Sequence, residues 1–397
     1  MAFARAPRQP LKRNTRNSTA MTKSVLVLMC DSGGGHRSVA DAIVGALQYL
    51  FPHQYRFHLA DIMADGFPFP LSAAGRMYGP VVDRLPRSWG LLWHMTNGRL
   101  RSPLLLRAVS PLASKRLASL VRATKPDVIV STHPWANHIP AWLRQRLDWR
   151  TPLITVVTDP ISIHHWWLCP AVDLCLVPTE QAYRKALDAG LDPHKVQVVG
   201  MPVGLEFVNA ARGKAELREE LGLRQDRLTV LLAGGGDGMG NVFPIARAAA
   251  QAELDVQLVI VAGRNDTLKR KLESVPWEVT TRVLGFVDNM PDLMHSADLL
   301  ITKAGPSTIS EALSCGLPML ISGALRGQQE GNAEWVADTG AAAVTPTPEQ
   351  LVVALKDLAR NGNESLLRMR RKAREAANPE AALQAARQID RLAGRTR

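Results

Sequence analysis

The sequence predicts an α/β fold: two doubly wound parallel-sheet domains facing each other across a cleft. Three observations carry this expectation. Short apolar runs alternate with helix-length segments along the chain, as in parallel sheets covered on both faces. Each half opens with a strand and a glycine-rich loop, "CDSGGGHRS" around Gly34 and "GGGDGMG" over 234–240. Between the halves, near 200–209, "GMPVGLEF" breaks the alternation and marks the linker. Ligands in such sheets sit beyond the carboxyl ends of the strands, so the cleft is the expected active site.

Strands are predicted in the first half at 25–29, 55–59, 128–131, 153–158, 174–177 and 196–199. After the charged segment "RGKAELREELGLRQDRL" they are predicted at 229–233, 257–262, 281–284, 299–302 and 319–321. The run at 25–29 is too short for a useful helix. Gly33, Gly34 and Gly35 then allow a turn that side chains would block, and Ser38, Ala40, Ala42 and Ile43 read as the first turns of a helix. Free N–H groups at such a helix mouth attract anions, diphosphates among them. The loop is not G-x-G-x-x-G, which argues against a nicotinamide site. Segment 61–126 interrupts the βαβ rhythm and reads as a functional insertion.

The 397 residues suffice for two domains, and 46% hydrophobic with 21% charged residues is the balance of a globular protein. No apolar run reaches the roughly 18–20 residues that span a bilayer. The opening "MAFARAPRQPLKRNTRNSTA" lacks the apolar core of a signal peptide, so export is not expected. It reads as a basic disordered tail over 1–22, or as sequence ahead of a start at Met21. Cys30, Cys169, Cys175 and Cys315 show no C-x-x-C spacing and are expected to be free thiols in a reducing compartment.

The net charge of +12 is concentrated. Residues 1–20 carry five basic side chains and no acid, and 76–125 carries ten against Asp83 alone. Charge by itself would fit nucleic acid. The second stretch, however, interleaves its arginines with Trp89, Leu91, Leu92, Trp93, Leu104, Leu105 and Leu106. That mixture predicts an interfacial segment for an anionic membrane, with no nucleic-acid partner.

The sharpest motif is "LLITKAGPSTISEALSCGLPML". A strand ends at Lys303, Gly305 and Pro306 turn the chain, and Ser307 and Thr308 open a helix. Glu311, one turn in, is placed to accept hydrogen bonds from vicinal hydroxyls. A diphosphate at the helix mouth and a ribose on the carboxylate is nucleotide-binding geometry.

Taken in order, "DSGGGHRSVADAI", "THPWANHIP", "TVVTDP", "LLAGGGDGMG", "VIVAGRND", "GFVDNM", "ITKAGPSTISEAL" and "GQQEGN" resemble the monogalactosyldiacylglycerol synthase family from about residue 24 to 392. That family is similar to the N-acetylglucosaminyltransferase of peptidoglycan precursor synthesis and to processive diacylglycerol glucosyltransferases. The resemblance implies a GT-B glycosyltransferase with two Rossmann-like domains. An acceptor- and membrane-binding domain would span 23–204 and a UDP-sugar-binding domain 205–375, with a helix in 376–397 packing back on the first. A hexose would pass from a UDP-sugar to diacylglycerol or a related membrane lipid. The enzyme would be cytoplasmic and peripherally associated with the inner face of the cell membrane.

The resemblance also implies roles for individual residues. Uracil would sit against Arg264 and the backbone near Phe286. The diphosphate would lie on Gly235, Gly236 and the helix mouth at Gly305, Pro306, Ser307 and Thr308, beside Lys303. Glu311 would hold the ribose, and Gln328, Gln329 and Asn332 would face the sugar. His36 would take the proton of the attacking hydroxyl, with Gly34, Gly35 and His133 on the acceptor side and Trp89 and Trp93 at the membrane. An unperturbed imidazole titrates near neutrality and suits that task. One departure stands out: the family pattern G-Q-E-x-G-N is here Gly327-Gln328-Gln329-Glu330-Gly331-Asn332. Galactose, glucose and N-acetylglucosamine therefore all stay open as the sugar. No Asp-x-Asp occurs, so neither a metal nor another cofactor is expected, and helix mouths and cations are expected to neutralise the diphosphate. The alternatives are a UDP-sugar 2-epimerase-like enzyme, or transfer to a polyprenyl-linked acceptor.

Overall fold

Side chains are buried on both faces of the inner strands, which is why those strands read as hydrophobic runs. The computed structural model describes residues 22–31, 34–73, 75, 77, 82, 86–99, 101–360 and 362–394. The basic segment 1–21 and Gly33 lie outside the described residues. The first sheet contains β1 (Lys23–Met29), β2 (Tyr55–Asp61), β3 (Val128–Ser131), β4 (Leu153–Val156), β5 (Leu174–Val177) and β6 (Val196–Val198). The second contains β7 (Leu228–Ala233), β8 (Val256–Val261), β9 (Thr281–Leu284), β10 (Leu299–Lys303), β11 (Met319–Gly323) and β12 (Ala342–Val344). All neighbouring strands are parallel. In β1, Val25, Val27 and Met29 enter one core while Leu26 and Leu28 enter the core on the opposite face. In β7, Val230 and Leu232 divide in the same way from Leu231 and Ala233.

Strand order positions the site. The sheets run β2-β1-β3-β4-β5-β6 and β12-β11-β10-β7-β8-β9. The winding direction therefore reverses between β1 and β3, and again between β7 and β10. Helices leave opposite faces at such points and open a crevice at the strands' carboxyl ends. The loops at these four strand ends hold Gly34 and His133 in one domain, and Gly235 and Gly305 in the other. Ten of the expected strands lie within a few residues of their predicted bounds, and the 153–158 run ends as strand at Val156. The three-residue edge strand β12 was not anticipated.

The Ala381–Ala393 helix packs on the Gly35–Leu50 helix, its Ala382, Ala385, Ala386 and Ile389 buried in the core behind β1. Lys23 Nζ donates to Asp390 at 2.7 Å, and the Tyr55 hydroxyl donates to the same carboxylate. Where the chain returns, Asn378 Nδ2 donates to the Val199 carbonyl at 2.9 Å. In the 61–126 insertion the described helices are Pro86–Thr96 and Arg101–Thr124. Among the described residues, no helix is long and apolar enough to cross a membrane.

Ile389 is fully buried on the returning helix. Its truncation, Ile389→Ala, is expected to cost about 2–5 kcal/mol in denaturant unfolding. A loss well under 1 kcal/mol would show that the first domain does not depend on this helix.

Candidate active site between the two sheets

The two glycine turns face each other across the crevice. Gly34 has φ 84°, and a Cβ on it would stand 3.9 Å from Cα of Gly236. A Cβ on Gly35 would stand 3.0 Å from Ser307 Oγ, which donates to the Gly35 carbonyl at 3.3 Å. One helical turn on, Ser38 Oγ donates to Glu311 Oε1 at 2.8 Å. The bare backbone at this turn thus serves the close approach of the two domains themselves. Between them lies a cavity of about 1020 Å³, with Gly34, Gly35, His36 and His133 on one side and Gly235, Gly236, Arg264 and Glu311 on the other.

His36 is held by the ends of β3 and β4. Its Nδ1 lies 2.8 Å from the Thr132 carbonyl and 3.1 Å from Thr158 Oγ1, while Thr132 Oγ1 donates to the His36 carbonyl at 3.0 Å. A carbonyl only accepts, so Nδ1 carries the proton and Nε2 keeps its lone pair. His133 lies edge-on to the ring at 4.7 Å and Trp167 tilts against it at 5.8 Å. Burial draws the His36 pKa down to about 4, against a smaller opposing effect of the Thr132 carbonyl. The expectation of a near-neutral pKa is corrected: the imidazole is fully neutral at physiological pH and is a weaker base than free histidine. Burial, then the neighbouring His36, hold His133 well below the ordinary value. Its buried Nδ1 has no hydrogen-bond partner. Asp159, which had no assigned role, accepts from Trp167 Nε1 at 2.7 Å and so fixes the indole behind His36. Burial raises its pKa to about 6. Its place just past β4 was the available signal for it.

On the opposite wall, Arg264 lies 4.7 Å over the Phe286 ring and pairs with Asp237 at 3.1 Å and with Asp31 of the first domain at 3.7 Å. Lys303 leaves β10 between the glycines: its Nζ is 3.2 Å from where a Cβ on Gly305 would stand, and its Cε is 3.6 Å from the equivalent point on Gly235. The Pro306–Cys315 helix opens here, with Pro306, Ser307 and Thr308 on the cavity wall. Its free N–H groups and Lys303 make this end of the cavity electropositive. Glu311 is only 8% exposed, and burial lifts its pKa to about 7 despite the Ser38 hydrogen bond. Among the described residues, no group of three or more His, Cys, Asp or Glu could hold a metal ion.

Two placements differ from expectation. Asn332 is fully buried behind the wall, where Nδ2 donates to the Ala304 carbonyl at 3.3 Å; it shapes the Gly305 turn and does not face the cavity. Gln328 and Gln329 do line it. Trp89 and Trp93, read as membrane residues, also line the cavity. Their helix points Leu91 and Met95 outward instead, at 62% and 59% exposure. An amphipathic pattern marks an apolar face without saying what covers it.

Glu311 generates a pH-linked prediction. The folded protein holds its proton through the window from pH 4.5 to about 7, in which the unfolded chain has released it. Stability therefore falls as pH rises through that window. Glu311→Gln removes this dependence, so denaturant unfolding at both ends of the window should show the variant losing less stability than the wild type, by up to about 3 kcal/mol. Parallel losses would mean that the carboxyl titrates normally.

Comparison with known proteins agrees with this architecture. The profile of monogalactosyldiacylglycerol synthase matches residues 36–203, and that of the glycosyltransferase family 28 C-terminal domain matches 229–387. Monogalactosyldiacylglycerol synthase 2, chloroplastic, of Arabidopsis thaliana is 35% identical over 380 residues, covering 94% of this chain and 81% of the relative. Among solved structures, MurG of Acinetobacter baumannii is similar at a TM-score of 0.60 and 17% identity, over 94% of this chain and 100% of that one. HepE of Anabaena in complex with UDP is similar at 0.55 and 15% identity, over 93% and 99%. These two likenesses concern the fold, GT-B. With its two switch-point loops, its electropositive helix mouth and this degree of identity, the chain belongs to the monogalactosyldiacylglycerol synthase family of glycosyltransferases.

Proposed function

We propose that the protein transfers galactose from UDP-galactose to the free hydroxyl of diacylglycerol, making a galactolipid. One observation carries this reading: a single cavity joins His36, with Nε2 open, to Arg264, Lys303 and Glu311 of the other domain. The named activity of the curated relatives supplies the sugar and the acceptor. Uracil is read against Arg264 and Phe286, the ribose hydroxyls donate to Glu311, and Gln328 and Gln329 meet the sugar. Ser38 Oγ already donates to Glu311 Oε1, so the ribose hydroxyls share or replace that hydrogen bond. The acceptor hydroxyl gives its proton to His36 Nε2 while its oxygen bonds C1 of the sugar. The bond from C1 to the β-phosphate oxygen breaks, and its electron pair leaves with UDP. Lys303 and the helix N–H groups stabilise that charge, a protein-borne neutralisation in which no metal takes part.

Removing the base is expected to separate chemistry from binding. His36→Ala should bind UDP normally in calorimetry and lose about 10²–10⁴-fold in transfer, assayed with EDTA present and with each UDP-sugar in turn. Near-wild-type turnover by the variant would return His36 to a structural role. A product other than galactolipid, or a requirement for added Mn²⁺ or Mg²⁺, would overturn the sugar or the metal part of the reading.

The acceptor is lipid, and the surface supports a peripheral placement at the cytoplasmic face of an anionic membrane. Among the described residues, eight of the sixteen exposed large hydrophobics fall within 69–112, including Leu91, Leu92, Met95, Leu104, Leu105 and Leu112. Arg87, Arg101 and Lys115 stand exposed on the same two helices, and Arg99 in the turn between them. Cations for headgroups beside apolar side chains for the acyl boundary make an interfacial surface. Replacing Leu91, Met95 and Leu104 by Ser should lower co-sedimentation with anionic vesicles at least about ten-fold, since three such side chains are together worth a few kcal/mol. Higher salt should weaken wild-type binding as well. Unchanged vesicle affinity of the triple variant would remove these helices from the membrane.

A further inference from the structure

The Pro86–Thr96 helix has different neighbours on its two sides. Leu91 and Met95 face solvent, whereas Gly90 and Trp93 lie against the 325–328 loop of the second domain. The crossing is tight from both directions. A Cβ on Gly90 would stand 3.3 Å from Cβ of Arg326, and a Cβ on Gly327 would stand 2.9 Å from Trp93 Cδ1. A glycine inside a helix costs about 1 kcal/mol relative to alanine. This helix carries its one glycine where the loop crosses it. Gly327 also has φ 76°, so a side chain there would be strained as well as crowded. The Trp93 ring also meets the His164 ring edge-on at 4.6 Å. His164 is itself fixed, accepting from the Trp166 N–H at 3.2 Å and meeting Thr96 Oγ1 at 3.2 Å. The indole is thus clamped between the domains, lining the same cavity as Gln328 and Gln329.

We propose that Trp93 is the wall of the donor-sugar subsite: it keeps water from the glycosyl carbon and so settles the partition between transfer and hydrolysis. This rests on the UDP-galactose reading above. In transfer the lipid oxygen bonds C1 as the C1–phosphate oxygen bond breaks, UDP takes the electron pair and His36 takes the proton. In hydrolysis a water oxygen makes the same bond, and the products are free galactose, UDP and a proton. Leaving group and base are common to both, so the outcome depends on which oxygen reaches C1. An indole face offers water no hydrogen bond. A sugar between Trp93 and the side-chain amides of Gln328 and Gln329 is shielded on one side while its hydroxyls are read on the other.

The test uses the full-length protein, UDP-galactose and dioleoylglycerol in mixed micelles, with galactolipid and free galactose measured together. Trp93→Ala should keep UDP affinity within about two-fold of wild type and lose about 10²-fold in transfer. Its share of free galactose should rise roughly ten-fold or more, the scale of a tenfold change in partition per 1.4 kcal/mol. Trp93→Phe should restore most of the wild-type partition. Gly90→Leu leaves the indole in place but pushes the loop away, and it should shift the partition in the same direction; it carries the test if Trp93→Ala melts early. A wild-type ratio of galactolipid to free galactose in both variants, with UDP binding intact, overturns the proposal. Failure of the wild type to bind UDP or to transfer galactose overturns instead the donor reading on which it rests.

Discussion

How near the two switch points can come is set by backbone, at Gly34 against Gly236 and Gly35 against Ser307. A side chain at Gly35 would crowd Ser307, and one at Gly34 would be strained by its positive φ, so both turns favour bare backbone at this approach. Burial moves four of the cavity's polar groups the same way, toward neutrality. It lowers His36 and His133 and raises Asp159 and Glu311. The resulting floor of uncharged imidazoles faces a wall whose cations are Arg264 and Lys303. Arg264, Lys303 and the helix mouth thus give the second domain's side of the cavity its positive character.

Much of this was legible in the chain. Strands buried on both faces announce themselves as apolar runs, and the two glycine loops mark the halves. Lys303, Gly305, Pro306 and Glu311 could be placed because strand, turn and helix follow one another within a dozen residues. What escaped were relations between distant segments. Ser38 and Glu311 are 273 positions apart, and nothing local in either predicts their hydrogen bond. The depressed His36 pKa comes from burial in the assembled fold, which the Thr132 carbonyl only partly opposes, and not from its own loop. The Trp89 and Trp93 side of their helix was assigned to lipid because periodicity identifies an apolar face but not its partner. β12 is three residues at a sheet edge, too short to give a period.

The insertion helix shows how one short element serves two surroundings. Eleven residues make three turns, enough to give one side to solvent and the other to the opposite domain. Its sequence divides accordingly, with Leu91 and Met95 outward, and Gly90 and Trp93 toward the second domain. Its outward apolar side chains are left uncovered by the helix's own packing.

The returning helix has a mechanical meaning. The polypeptide crosses between the domains near residue 200 and again near residue 378, and the two crossings touch where Asn378 bonds the Val199 carbonyl. Two chain segments side by side behave as a door hung on two pins. They permit rotation about the line joining them, which opens and shuts the cleft, and they resist twist, which would slide one turn past the other. Whatever enters between the sheets therefore meets walls that separate without losing their register.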